Sequence, residues 1–493
     1  MRPRRPGDHN LSQDGYGGNK EKGRRRDDSV GFWSDELNAT RSHVCKHWAL
    51  DTLAFSTFIL AVISLYWAML FRAEDKLSSL VVYIVDFDSL VAPYININPI
   101  VGPSIVATAK SLIAPTGALG WRSLPASQFN FDPTAIRQAV YDDKAWAAVI
   151  INANATAILE DAVASGNVSY DPMGSAQIIY VGARDRNVAS NYLQPHLQNL
   201  QATATSTFSQ TWTRQVLSRA SSNSTILNNI QTAPQTMWPA IGFSTFNLRP
   251  FSPRVATPAL SIGLLYLIII SFMAPNFYIP KQMRFIGPGH RRLYFYQLVI
   301  FRWLSTVAGY LFLSLSYSLI SLAFQIPFST PSAPDTVPSN SATAYHYGSF
   351  PVYWMLNFVG MTAFGLACEN VVMVVGQPWT DLWLIFWLVT NAATSFYSIT
   401  LAPGFFRWAY AWPLYNIVQA TRTILFDLHS KIGLNFGVLF AWVAVDTALF
   451  PFCCYVLRRK TLRKRRKDSG QRSDRRGEMD DEVVRAVSDN EID

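Results

Sequence analysis

Six long apolar runs punctuate this chain. One, 48–71 (WALDTLAFSTFILAVISLYWAMLF), stands near the start. Five more, near 255–274, 298–324, 350–376, 382–402 and 436–457, crowd the second half. Each is close to the roughly 20 apolar residues that a helix needs to cross ~30 Å of hydrocarbon. Core helices of soluble proteins rarely run this long without charge. The pattern predicts a polytopic α-helical membrane protein with six transmembrane helices, the first an uncleaved anchor. It also predicts that 255–457 forms a five-helix membrane domain.

Between the first and second runs lies 72–254, where the period changes. Leu80–Asp86, Ala145–Ile151 and Ala176–Val181 are short apolar runs that read as strands. They alternate with helical stretches near Ser104–Ile113, Thr156–Ala164 and 189–219. That alternation predicts an α/β domain. The Gln/Ser/Thr-rich stretch 198–232 is expected to return the chain to the membrane as helices. Asp86 and Asp88 follow the first strand and suit turn capping better than a catalytic acid pair. Asp142, Asp143 and Lys144 read as a solvated turn.

Charge orients the spans. Arg24, Arg25, Arg26, Arg41 and Lys46 precede the first run, and Arg458, Arg459, Lys460 and Arg463 follow the last. The loop at 325–349 has no Lys or Arg. By the positive-inside bias both termini are cytoplasmic and the α/β domain is extracytoplasmic. Asn154, Asn167 and Asn223 begin Asn-x-Ser/Thr triplets in that domain and are candidate glycosylation sites. The net charge of +9 is thus explained by membrane topology, so nucleic acid is not an expected partner; membrane lipid is. The tail 1–47 is polar, basic and expected to be disordered. The tail 458–493 is charged throughout its length.

Candidate chemistry is sparse. The α/β domain has one histidine, His196, and no cysteine, which disfavours a hydrolytic triad, a thiol nucleophile or a His/Cys metal site. No enzyme activity, cofactor or metal is expected. Cys453 and Cys454, near the end of the last run, are weak candidates for palmitoylation. Ionisable groups inside spans cost ~2.5–3.5 kcal/mol each on insertion scales and tend to be functional. Asp446 lies in the last run, Glu369 and Asn370 in the fourth, and Arg302 in the third. One reading makes Asp446, Glu369 and Asn370 a proton or substrate site. The other makes Glu369 and Arg302 a structural ion pair. The segment 403–435 is aromatic, broken by proline, and reads as an interfacial or re-entrant piece.

The segments VVYIVDFDS (81–89), VGPSIVATAKSL (101–112), KAWAAVIINANATAILEDA (144–162), YAWPLYNIVQATRTILFD (410–427) and NFGVLFAWVAVDTALFP (435–451) resemble a fungal membrane family. It is the family typified by the yeast nitrosoguanidine-resistance protein, which shares a domain of unknown function. More distantly, the layout resembles type-2 ABC exporter permeases. The resemblance implies a plasma-membrane protein linked to resistance to toxic compounds. No G-x-x-x-x-G-K-[ST] phosphate loop is present, so ATP-driven export would need a separate ATPase as partner. The expectation is a transporter of unknown small molecules, with a homo-oligomer also open. The alternative is a non-transporting protein that affects lipid organisation or binds a partner through its outer domain.

Overall fold

The structure is a computed structural model that describes residues 31–114, 116–286, 293–376 and 379–489, with side chains described only to residue 463. The chain divides into two compact units, Met1–Leu60 and Ala61–Asp493. In the first unit, helix α1 spans Asn38–Phe58 and none of its residues is buried. It begins inside the tail expected to be disordered; residues 1–30 lie outside the described residues.

In the second unit, a five-stranded sheet is built from β1 (Val81–Asp86), β2 (Gly120–Pro125), β3 (Ala147–Ile151), β4 (Ala176–Tyr180) and β5 (Phe243–Asn247). The strand order is β2-β1-β3-β4-β5, and only β3 and β4 pair antiparallel. Its helices are α2 (Val101–Ser111), α3 (Pro133–Tyr141), α4 (Ala155–Ser165), α5 (Gln194–Ala220) and α6 (Ser224–Thr232). On one face, Val82, Ile84, Val149 and Ile178 pack against Ile105 of α2, Leu159 of α4 and Leu200 and Trp212 of α5. On the other, Val85, Ile150 and Ile179 meet Ile136 and Val140 of α3. A strand buried on both faces must be apolar at every position, which is why β3 reads AAVII.

The stretch 198–232 does not lead into the membrane. It forms most of α5 and all of α6, and α5 buries Leu197, Leu200, Ala204, Phe208, Trp212 and Val216 at about one per turn. That stripe is apolar enough to face the sheet although the rest of the helix is polar. The chain then adds β5 at the sheet edge before it reaches the spans.

Among the described residues, five helices are long and apolar enough to cross a membrane: Asp35–Ala68, Ile262–Phe285, Phe295–Ala323, His346–Val374 and Ile432–Arg463. The bundle helices are α7 (Ile262–Gln282), α8 (Phe295–Ala323), α9 (Ser349–Val374), α10 (Trp379–Phe396), α11 (Pro413–Phe426) and α12 (Ile432–Asp489). The second span starts later than its apolar run, after short turns at Arg254–Ala256 and Pro258–Leu260, and continues through Pro275 and Pro280. Proline is tolerated there because neighbouring helices can satisfy freed backbone groups.

The expected fifth span, 382–402, corresponds to α10, which stops at Phe396 and is not among the five. Its second half is polar and buried against α11: Asn391 Oδ1 accepts the Leu414 N–H at 3.1 Å, and Trp412 Nε1 donates to Thr390 Oγ1 at 3.2 Å. Helix α9 is the centre of the bundle, with 78% of its apolar window buried against 28% for α8 and 22% for α12. The segment 403–435 does not lie as an isolated amphipathic helix on a bilayer surface. Helix α11 is buried at twelve named positions, from Pro413 to Phe426, and packs on α9, α10 and α12.

Candidate functional site

The intramembrane polar residues converge between α7, α8, α9 and α12. Arg302 Nη2 lies 2.6 Å from Glu369 Oε1, and both side chains are almost fully enclosed. Arg302 Nε donates to Gln282 Oε1 at 3.1 Å, and Gln282 Nε2 donates to Ser305 Oγ at 2.7 Å. The guanidinium also stands 5.7 Å from the Phe450 ring centroid. A buried guanidinium can be held in a low-dielectric site only by a carboxylate with further hydrogen bonds, and the site supplies both. One helical position on, Asn370 Nδ2 donates to the Asp446 carbonyl at 3.0 Å and lies 3.4 Å from its Oδ1.

Asp446 differs from Glu369 in one respect. It is 5% exposed, yet no Lys, Arg or His forms an ion pair with it among the described residues. Asp446 Oδ2, Asn370 Oδ1 and Glu369 Oε2 are buried acceptors with no donor among those residues. Buried acceptors left without donors are costly.

A second assembly joins the sheet domain to the bundle. Arg249, just after β5, is 1% exposed. It donates to the carbonyls of Leu248, Ala333, Val337 and Asp427 at 2.8–3.1 Å and pairs with Asp427 Oδ2 at 3.0 Å. Asp427 ends α11 in the left-handed region, with φ of 50°. Its carbonyl also accepts from Tyr141 Oη at 2.9 Å. Beside this junction is a cavity of about 340 Å³ lined by residues of the sheet domain and of α10–α12.

The expected solvated turn is part of that junction. Asp143 lies 3.1 Å from Arg184 Nε and 2.8 Å from Lys431 Nζ, and Asp142 lies 3.7 Å from His429 Nδ1. The Arg184 guanidinium stands 3.9 Å from the Trp146 ring centroid. Burial pushes Arg184 below its ordinary pKa, against the opposing pull of Asp143 and Asp185.

The remaining named residues lie elsewhere. Asp88 accepts from the Thr156 N–H at 3.0 Å, the Thr156 hydroxyl at 2.5 Å and the Gly102 N–H at 3.0 Å, so it caps the starts of α2 and α4. Burial, with the Asp88 charge adding and the Asp88 N–H opposing, raises the Asp86 carboxyl to about 6. Both ring nitrogens of His196 face backbone carbonyls, of Tyr192 at 2.7 Å and Gly117 at 3.0 Å. Asn167 and Asn223 are exposed, and Asn154 is half-buried at the start of α4. Cys453 and Cys454 are buried, and Cys454 Sγ lies 3.8 Å from Met373 Sδ.

Sequence reasoning missed Arg249, Asp427, Arg422 and Asn435. Each is unremarkable where it stands; Arg249, Asp427 and Arg422 acquire partners from distant segments only on folding, and Asn435 comes to line a cavity.

Five long apolar helices and a small mixed sheet make this an integral membrane protein. Residues 52–448 match the family described as "Protein of unknown function (DUF3533)", and the chain belongs to it. It is 24% identical over 455 residues to the "Uncharacterized endoplasmic reticulum membrane protein YJR015W" of Saccharomyces cerevisiae, covering 88% of this chain and 85% of that protein. No solved structure matches, so the resemblance to type-2 exporter permeases gains no support. The relative's name places it in the endoplasmic reticulum membrane, whereas the plasma membrane was the expectation here.

Proposed function

We propose that this protein is a permease-like membrane protein that moves amphipathic, toxic compounds across a membrane of the secretory pathway, with Asp446 as its titrating group. The observation that carries this reading is the buried Asp446 carboxylate beside Asn370, which has no ion-pair partner among the described residues. A carboxylate that can gain and lose a proton without dismantling an ion pair is suited to coupling; Glu369, held by Arg302, is suited to structure. In this reading α10 counts as the fifth of six crossings, both termini are cytoplasmic, and the sheet domain faces the lumen or exterior.

The test is efflux of a preloaded fluorescent amphipath from cells expressing the wild type, Asp446→Asn or Glu369→Gln at matched levels. Faster efflux in the wild type that depends on the proton gradient, and its loss in Asp446→Asn, is the expected result. Equal efflux in wild type, Asp446→Asn and empty-vector cells, across chemically distinct amphipaths, would refute the transport reading. The close packing of α9, where a Cβ at Gly365 would meet the Tyr310 ring, favours a second reading. In it the bundle is a rigid scaffold and the protein acts on lipid organisation.

A further inference from the structure

Arg422 of α11 stands between two cavities. The larger, about 340 Å³, also touches Arg184, Lys431, Asn435, Tyr410 and Tyr415. The smaller, about 270 Å³, also touches Arg186, Ser190 and Thr257. Arg422 Nη1 donates to the Arg184 carbonyl at 2.8 Å and lies 3.5 Å from Asp185 Oδ2. Its Nε and Nη2 have no hydrogen-bond partner among the described residues. Asn435, 2% exposed and on the wall of the larger cavity, has an Nδ2 with no acceptor among those residues. A buried donor without an acceptor, as Asn435 Nδ2 is, is costly, so this wall is suited to an acceptor that the chain itself does not provide.

The charge balance agrees. Arg184, Arg422 and Lys431 face only Asp143 and Asp185 around the larger cavity, with Arg186 nearby in the smaller one. A guanidinium with two free donors matches a phosphate oxygen pair better than any neutral group. The rim identifies the source of that phosphate. Tyr410 is 51% exposed and Leu434 67% exposed at the mouth, and Val445, about three turns further along the same face of α12, is exposed too. Exposed aromatic residues at a helix end mark the headgroup level of a bilayer, where acyl chains begin. A ligand entering there would keep its head in the polar cavity and its tails on Leu434 and Val445.

We propose that the cavity is a binding site for the phosphate head of a phosphoglyceride, with Arg422 and Asn435 as the main donors. The site is separate from Asp446, and binding there is expected whether or not the chain transports anything.

The test uses the full chain in detergent and a fluorescent, short-chain (dihexanoyl) phosphatidylglycerol as probe. The expected result is saturable binding that Arg422→Gln weakens at least about tenfold. Ser398→Trp, which fills the cavity without removing Arg422, should cause a similar loss in a protein whose thermal unfolding is unchanged. Millimolar inorganic phosphate should leave the probe bound. Displacement by inorganic phosphate at the probe's own concentration would overturn the lipid assignment in favour of free phosphate. Unchanged probe binding in a folded Ser398→Trp protein would overturn the site itself.

Discussion

Replacing Arg249 by Met should undo the attachment of the sheet domain to the bundle. The substitution keeps an unbranched apolar stem and removes every donor. Its most costly consequence is the Asp427 carboxylate, whose side chain is 11% exposed and loses its only cation among the described residues. Breaking one side of a buried ion pair costs about 3–5 kcal/mol. The carbonyls of Ala333 and Val337 lose a donor as well, and each costs about 1–3 kcal/mol unless water reaches it. With water reaching those carbonyls the net loss is about 4 kcal/mol, on the order of 10 °C in the unfolding transition of a domain this size. Asp427→Asn separates charge from shape. Asparagine tolerates the left-handed backbone at that position and keeps an oxygen for Arg249 and the Ala333 N–H. Because Arg249 is 1% exposed and would keep no counter-charge among the described residues, the cost should still approach about 3–5 kcal/mol, with the hydrogen-bond geometry kept. The double variant should be more stable than Arg249→Met alone, because no charge is then stranded. Tryptophan-detected thermal unfolding and hydrogen exchange across 325–345 would report these differences. A shift below about 2 °C for Arg249→Met, with unchanged exchange, would refute the reasoning.

Two further outcomes follow from the same geometry. Gly365→Ala places a methyl group against the Tyr310 ring, whose hydroxyl is held by the Ser271 carbonyl at 3.0 Å, and should destabilise the α8–α9 contact by about 1–3 kcal/mol. Tyr310→Leu in the same chain should recover part of that loss in a detergent unfolding series. Asp86 should make the sheet domain less stable as pH rises. Its folded carboxyl, raised from 3.8 to about 6, contributes fully below pH 3.8 and loses that contribution as pH passes through 6. A fully buried group would supply roughly 3 kcal/mol over this window, and partial exposure lowers that to roughly 1–2 kcal/mol. Urea midpoints at pH 4.5 and 7 for wild type and Asp86→Asn would show it as a pH slope present in the first and flattened in the second.

The central strands were legible because burial on both faces demands unbroken apolar sequence. Runs at Leu80–Asp86, Ala145–Ile151 and Ala176–Val181 enclose β1, β3 and β4 to within two residues. The edge strands were not. β2 reads GWRSLP and β5 reads FSTFN, and an edge needs only a partial apolar face. The second span was misplaced because Pro275 reads as a stop in a soluble helix but not in one packed within a bundle. At the site, helical periodicity and depth single out Arg302, Glu369, Asn370 and Asp446 individually. Which of them meet depends on how α8, α9 and α12 pack. The cavity around Arg422 was invisible for a related reason: its wall is drawn from positions as far apart as Asp143 and Asn435.

The Arg249 junction also constrains how the protein is made. Beyond the neighbouring Leu248, its carbonyl and carboxylate partners are Ala333, Pro334, Val337 and Asp427, and the last of these precedes only the final helix. All five strands are synthesised by Asn247, so the sheet can form while most of the bundle is still on the ribosome. Its seating on the bundle must wait until α11 is complete. Until then the Arg249 side chain and the turn at Asp143 remain without their membrane-domain partners. A chain truncated before Asp427 would thus carry a finished sheet with an exposed docking face, a mark by which an incomplete protein could be told from a complete one.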